Sequence, residues 1–192
     1  MKFLFKGRIW TIPNMLSGLR LLLIPVFVRL YLGEGDVRAA VVVLLLSGLT
    51  DVLDGLIARR FHMVSDFGKA LDPLADKLTQ LAVLCCLLLR FPRMIWLIVL
   101  LCVKELFVAS TQIAAIRHTE AVEGADWHGK ATAAVLYGTM LTHLLRPDLP
   151  EELSFAMELV CMMMLILSGV LYGVRNFRII RAARAKEKPQ PE

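Results

Sequence analysis

The apolar residues of this 192-residue chain fall in long blocks separated by short polar connections. Six such blocks stand out, at 15–32, 37–57, 71–89, 94–116, 131–145 and 153–174. Most approach the roughly 20 residues that one bilayer crossing requires. Lipid offers no partner for backbone polar groups, so segments of this kind must be helical. The pattern predicts an all-α integral membrane protein with six transmembrane helices. Ahead of them, Lys2, Lys6 and Arg8 interleave with Phe3, Leu4, Phe5, Ile9 and Trp10. That mixture predicts a short N-terminal interfacial helix lying on anionic lipid. The expected organisation is an interfacial segment over 1–13, a six-helix domain over 14–176 and a basic cytoplasmic tail over 177–192.

Composition agrees with that reading. Hydrophobic residues make up 57% of the chain, against about 45–50% in an average soluble domain. A disordered chain and an ordinary soluble globule are excluded. The basic balance, a pI near 9.2, follows topology rather than nucleic-acid binding. Lys2, Lys6, Arg8, Arg59, Arg60, Lys69, Arg117, Lys130, Arg175, Arg178, Arg181, Arg184, Lys186 and Lys188 fall on one side of the six-segment layout, fourteen in all, against Arg38, Arg90, Arg93 and Arg146 on the other. The positive-inside rule then puts both termini in the cytoplasm, and the expected location is a bacterial inner membrane. No cleavable signal peptide is expected, because the first fourteen residues are short, mixed and interrupted by Pro13. Cys85, Cys86, Cys102 and Cys161 all sit in apolar stretches without a CxxC pair, which predicts plain packing and no disulfide or zinc site.

Ionisable residues inside membrane segments are costly and point to function. Arg20, Asp51, Asp54, Asp72, Asp76, Lys77, Lys104, Glu105 and Glu158 are all in or at the edge of the apolar blocks. Asp51 and Asp54 are three residues apart, and Asp72 and Asp76 four apart, so each pair shares a helix face. Two antiparallel helices joined by the basic turn between them would bring both faces to the cytoplasmic boundary. Carboxylates gathered there need a cation. Lys and Arg serve in part, and all-oxygen ligands suit a hard divalent ion such as Mg²⁺, Mn²⁺ or Ca²⁺. Gly55, Ala58 and Gly68 lie one turn from the aspartates, where small side chains admit either a ligand or a neighbouring helix. Arg59 suits a phosphate or simply the cytoplasmic interface.

Together these residues read Asp51-x2-Asp54-Gly55-x2-Ala58-Arg59-x8-Gly68-x3-Asp72-x3-Asp76. The pattern resembles the signature of the CDP-alcohol phosphotransferase family at all eight of its positions. Ile12-Pro13-Asn14, Arg20 and Pro25 resemble the first helix of the branch that makes phosphatidylglycerophosphate. The resemblance implies a phosphatidyltransferase that replaces the CMP of CDP-diacylglycerol with an alcohol, sn-glycerol 3-phosphate in that branch. It implies two ions, Mg²⁺ or Mn²⁺, on Asp51, Asp54, Asp72 and Asp76, with Asp76 also the catalytic base. It implies CDP binding by Asn14, Asp54, Gly55, Ala58, Arg59 and Gly68, and a homodimer in the bilayer.

A dianionic acceptor needs cations, and the candidates are Lys104, Arg117, Lys130 and Arg175, with Arg178 behind them and His128 joining when protonated. The family pattern is not complete here. Lys104-Glu105 stands where Arg-Glu is expected, Gln112 where a second Arg is common, and Gly129-Lys130-Ala131-Thr132 lacks a second Lys. Phosphatidylglycerol as acceptor, giving cardiolipin, therefore stays open, as do inositol phosphate and serine. Outside catalysis, the same carboxylates would suit a small cation carrier or a Ca²⁺-binding structural protein. Glu158 is open between a helix-contact hydrogen bond and no identifiable role.

Overall fold

The computed structural model describes the backbone of residues 11–60, 66–119 and 127–187. Within these, the side chains of 12–13, 52, 54–59, 66–67, 69–70, 116–119 and 183–187 lie outside the described residues, as do residues 1–10 of the expected interfacial segment. The described residues form helices joined by short turns, in the order α1 (Ile12–Val28), a π-helical turn (Arg29–Glu34), α2 (Val37–Arg60), α3 (Asp66–Leu88), α4 (Met94–Thr119), α5 (Trp127–Leu145) and α6 (Glu151–Glu187). The six helices follow the six apolar blocks in order.

Local chemistry sets the boundaries. Thr11 is extended and its hydroxyl accepts from the Asn14 amide at 3.4 Å, capping α1 ahead of Pro13. Gly35 has φ 67° and closes the π-helical turn, a left-handed conformation that a side chain would strain. Asp36 then caps α2, its carboxylate accepting from the Ala39 amide at 3.0 Å. Pro147 and Pro150 break the chain between α5 and α6. The last helix runs past its apolar block to Glu187, because no glycine or proline interrupts residues 174–188. The basic tail is thus continuous with α6 as far as it is described, with Arg178 and Arg181 exposed.

The chain divides into two units. In the first, α1 packs against both α2 and α3, burying Phe27, Ala40, Leu44, Ala75, Val83 and Leu84. In the second, α4 packs against α6, burying Leu97, Leu101, Cys161 and Leu165. Gly173 lets the Phe107 ring approach α6 so closely that a Cβ there would lie 2.8 Å from it. Asn176 donates to the Thr111 hydroxyl at 2.9 Å across the same seam.

Both units are inside-out relative to a soluble protein. Leu22 and Leu106 are 68% and 72% exposed, while Ser17, Arg20, Gln80, Thr132 and Glu158 are buried. Exposed apolar surface on this scale needs lipid to cover it. Three stretches are long and apolar enough to cross a membrane, Asn14–Glu34, Met94–Ala115 and Glu151–Ala182. α3 carries Asp72, Asp76 and Lys77 within its span, and α5 is interrupted by His128, Lys130 and His143. Among the described residues the protein is all-helical, and its apolar helices make it a multi-pass membrane protein.

Candidate active site

The first unit collects its polar residues at one place. On α1, Asn14, Ser17 and Arg20 recur every three residues and are all buried, a polar stripe along an otherwise apolar helix. That stripe meets the aspartates of α2 and α3. Arg20 is ion-paired with Asp51, and its other terminal nitrogen lies 3.7 Å from Asp72. The Ser17 hydroxyl donates to the same Asp72 oxygen. Asp72 and Asp76 both lie close enough to repel Asp51 electrostatically. Repulsion among three carboxylates is thus offset by one buried guanidinium.

Asp76 is held from its own helix. Lys77 sits 3.2 Å from Asp76 Oδ2, and the Gln80 amide donates to that oxygen at 3.0 Å. Gln80 in turn accepts from Lys77 at 3.4 Å. Two donors on one oxygen fix the carboxylate's orientation. Asp51 and Asp72 remain about half and one-third exposed, at 52% and 37% of their side chains, so the cluster is reachable from outside the unit.

Among the described residues, no three His, Cys, Asp or Glu side chains close around one point. The donor set nevertheless fits a hard divalent ion. Asp51 and Asp72 already converge on a single cation, and every ligand atom they offer is oxygen. Gly68 is buried near the start of α3. Asp54, Gly55, Ala58 and Arg59 belong to the α2 backbone and Arg117 to α4, with their side chains outside the described residues.

The remaining expected acceptor residues lie in the second unit. Lys104 of α4 is ion-paired with Glu105 at 2.7 Å, and its Nζ stands 5.8 Å from the centre of the Tyr172 ring. The Arg175 guanidinium stands 4.9 Å from the same ring. His128 packs edge-on against that ring at 4.6 Å, with its Nδ1 3.5 Å from the Ser168 hydroxyl. Lys130 is exposed, one turn into α5. Glu158 accepts from the Ser154 hydroxyl at 3.1 Å and pairs with Arg93 at 3.3 Å. Of the two readings left open for Glu158, the helix contact is the one observed.

Sequence reasoning missed Ser17, Gln80 and Tyr172. Each had a positional signal. Ser17 completes the three-residue stripe with Asn14 and Arg20, Gln80 follows Asp76 by one turn, and Tyr172 precedes Arg175 by one turn.

A helical membrane protein with carboxylates gathered on a polar face shared by three helices is the class that this arrangement defines. The CDP-alcohol phosphatidyltransferase family model matches residues 10–171, and the chain belongs to that family. A Mycobacterium tuberculosis protein named "Probable phosphatidylglycerophosphate synthase" is 32% identical over 185 residues, covering 93% of this chain and 88% of its own. A Streptomyces coelicolor protein named "Cardiolipin synthase (CMP-forming)" is 34% identical over 188 residues, covering 91% and 86%. The human protein of that same name is 54% identical over 70 residues, or 36% of this chain and 23% of its own.

Proposed function

We propose that the protein transfers a phosphatidyl group from CDP-diacylglycerol to sn-glycerol 3-phosphate, giving phosphatidylglycerophosphate and CMP. The observation that carries this reading is the aspartate motif, with Asp51 and Asp72 meeting at one cation beside Asp76. In the reaction, an acceptor hydroxyl oxygen forms a bond to the phosphorus next to diacylglycerol. The anhydride bond from that phosphorus to CMP breaks, and CMP leaves with the bonding pair. The hydroxyl proton passes to Asp76, whose carboxylate is oriented for it by Lys77 and Gln80.

Asp51, Asp54, Asp72 and Asp76 would hold the divalent ions, Mg²⁺ or Mn²⁺, which when bound offset charge on the phosphoryl oxygens and on departing CMP. Asn14, Asp54, Gly55, Ala58, Arg59 and Gly68 would line the cytidine diphosphate. Lys104, Arg117, Lys130 and Arg175 would bind the acceptor phosphate. The diacylglycerol tails stay in lipid while CMP is released to water, which suits an active site at the cytoplasmic edge of a bacterial inner membrane. Six crossings and a homodimer complete the proposal.

A second reading takes phosphatidylglycerol as acceptor. It stays open because the similarity to a protein named cardiolipin synthase matches that to the phosphatidylglycerophosphate synthase, and because the set of acceptor cations is incomplete. The deciding experiment is CMP release from CDP-diacylglycerol by purified protein with Mg²⁺ or Mn²⁺, each acceptor supplied separately. Release with glycerol 3-phosphate supports the first reading. Release with phosphatidylglycerol alone supports the second. No release with any acceptor from folded protein sinks both and revives the cation carrier. Chelation should abolish turnover, and either ion should restore it.

A further inference from the structure

We propose that Tyr172 is the positioning residue of the acceptor site, an aromatic platform that holds Lys104 and Arg175 together for one phosphate. The proposal rests on the reading of those two cations as acceptor ligands and adds the residue that assembles them. Lys104 and Arg175 come from different helices, and like charges brought close repel unless something lies between them. A carboxylate would satisfy them and also consume the charge that an anionic ligand needs. An aromatic face attracts cations through its quadrupole without carrying a charge of its own, and it does so within about 6 Å of the ring centre. Tyr172 meets that condition for both, at 5.8 Å for Lys104 and 4.9 Å for Arg175. Glu105 pairs with Lys104 at 2.7 Å and offsets part of the charge on that side, while the ring faces both cations.

The ring itself is fixed from three sides. It is buried, only 8% exposed. His128 stands edge-on to it, and Ser168 in turn holds His128. The tyrosine hydroxyl presses on Gly129 so closely that a Cβ there would overlap it, with the ring carbons 3.1 and 3.2 Å away. Gly129 is therefore glycine for this contact, and the residue after it is Lys130. Tyr172 thus joins the first turn of α5, with its exposed lysine, to the two cations on α4 and α6. The stem of Lys104 is admitted by a second glycine, Gly169, whose added Cβ would lie 3.3 Å from Lys104 Cγ.

The test is a split between the two substrates' KM values, measured with whichever phosphate-bearing acceptor the unaltered protein uses. Tyr172→Leu removes the ring, and the acceptor KM should rise about tenfold, the ratio set by ~1.4 kcal/mol, with the KM for CDP-diacylglycerol unchanged. Tyr172→Phe keeps the ring and should stay within about twofold. Gly129→Ala drives a methyl into the hydroxyl and should raise the acceptor KM. Combining it with Tyr172→Phe removes the colliding oxygen and leaves only the ring carbons at 3.1 and 3.2 Å, so it should restore part of the loss. An unchanged acceptor KM in Tyr172→Leu, or both KM values rising together, overturns the proposal. So does a Tyr172→Phe defect as large as that of Tyr172→Leu. If Tyr172→Leu does not fold, the Gly129→Ala pair decides: no acceptor defect, or no rescue, overturns it. Absence of turnover in the unaltered protein is a different failure, that of the phosphatidyltransferase reading itself.

Discussion

Arg20 of α1, 2% exposed along its side chain, is ion-paired with Asp51 of α2, which is 52% exposed. One end of this bond is sealed inside the helical unit and the other opens outward. The same guanidinium reaches Asp72 of α3, so one side chain ties the three helices of the unit at their shared polar face. Arg20→Gln should lower the thermal midpoint and reduce CMP release at least a hundredfold, since it leaves the two carboxylates facing each other. The half-open aspartates temper the energetic cost relative to a fully buried pair. Added Mn²⁺ should raise the midpoint of Arg20→Gln more than that of the unaltered protein, because a divalent ion replaces the lost cation. Equal shifts in a melting experiment with and without the ion would refute the idea that Arg20 and metal share these carboxylates.

Asp76→Asn should reduce CMP release by about 10²–10⁴-fold, the range for loss of a general base, without a comparable loss of folded protein. The asparagine amide still accepts from Gln80, which is why the fold should survive. Asp51→Asn and Asp72→Asn should also abolish turnover, and since all three carboxylates are proposed metal ligands, each of the three substitutions should weaken stabilisation by Mg²⁺, with Asp76→Asn in addition losing the base. A turnover assay paired with metal-dependent melting separates the two effects. Turnover in Asp76→Asn within tenfold of the unaltered protein would remove Asp76 from the role of base.

Much of this site is legible in the sequence, because a charge inside an apolar block is too costly to keep without a partner or a task. The aspartates announce themselves by type, and their spacing by three and four puts each pair on one helix face. What periodicity does not supply is which third helix meets them. The Asn14, Ser17 and Arg20 stripe contains that information, since only a face turned toward other helices would stay polar in lipid, yet Ser17 is too ordinary a residue to stand out. Tyr172 is harder still. An aromatic residue near the end of a membrane helix fits an interfacial anchor equally well, and only its neighbours in space, Lys104 of α4 and Arg175 of α6, show two cations at its ring. The reach of α6 to Glu187 depends on the absence of helix breakers, a weaker signal than the end of an apolar block.

Glu158 is buried in α6 and accepts from Ser154 one turn earlier while pairing with Arg93 at the start of α4. Arg93 also pairs with Glu151 at 2.8 Å and lies 5.5 Å from the Phe155 ring. The cluster staples the first turns of α4 and α6. Arg93→Ala should lower the thermal midpoint, because it leaves a carboxylate in an apolar setting without its cation. Arg93→Ala combined with Glu158→Gln should recover part of that loss, since the neutral amide keeps its partner in Ser154. Melting curves of the single and double variants check this, and a double variant no more stable than Arg93→Ala would show that the pair does not stabilise the seam.

Gly173→Ala tests the same seam farther along. An added Cβ would lie 2.8 and 2.9 Å from two Phe107 ring carbons, closer than packed carbons tolerate. The ring sits between α4 and α6, so one helix must shift or the ring must leave its rotamer. Overpacking of this kind costs about 1–3 kcal/mol. Phe107→Leu removes the colliding ring edge, so the double variant Gly173→Ala with Phe107→Leu should be more stable than Gly173→Ala alone, even though Phe107→Leu by itself costs packing. That reversal of sign is the decisive observation, because it arises only if the glycine and the phenylalanine meet in the folded protein. Additive losses in the melting midpoints would mean that the two helices do not approach each other at this point.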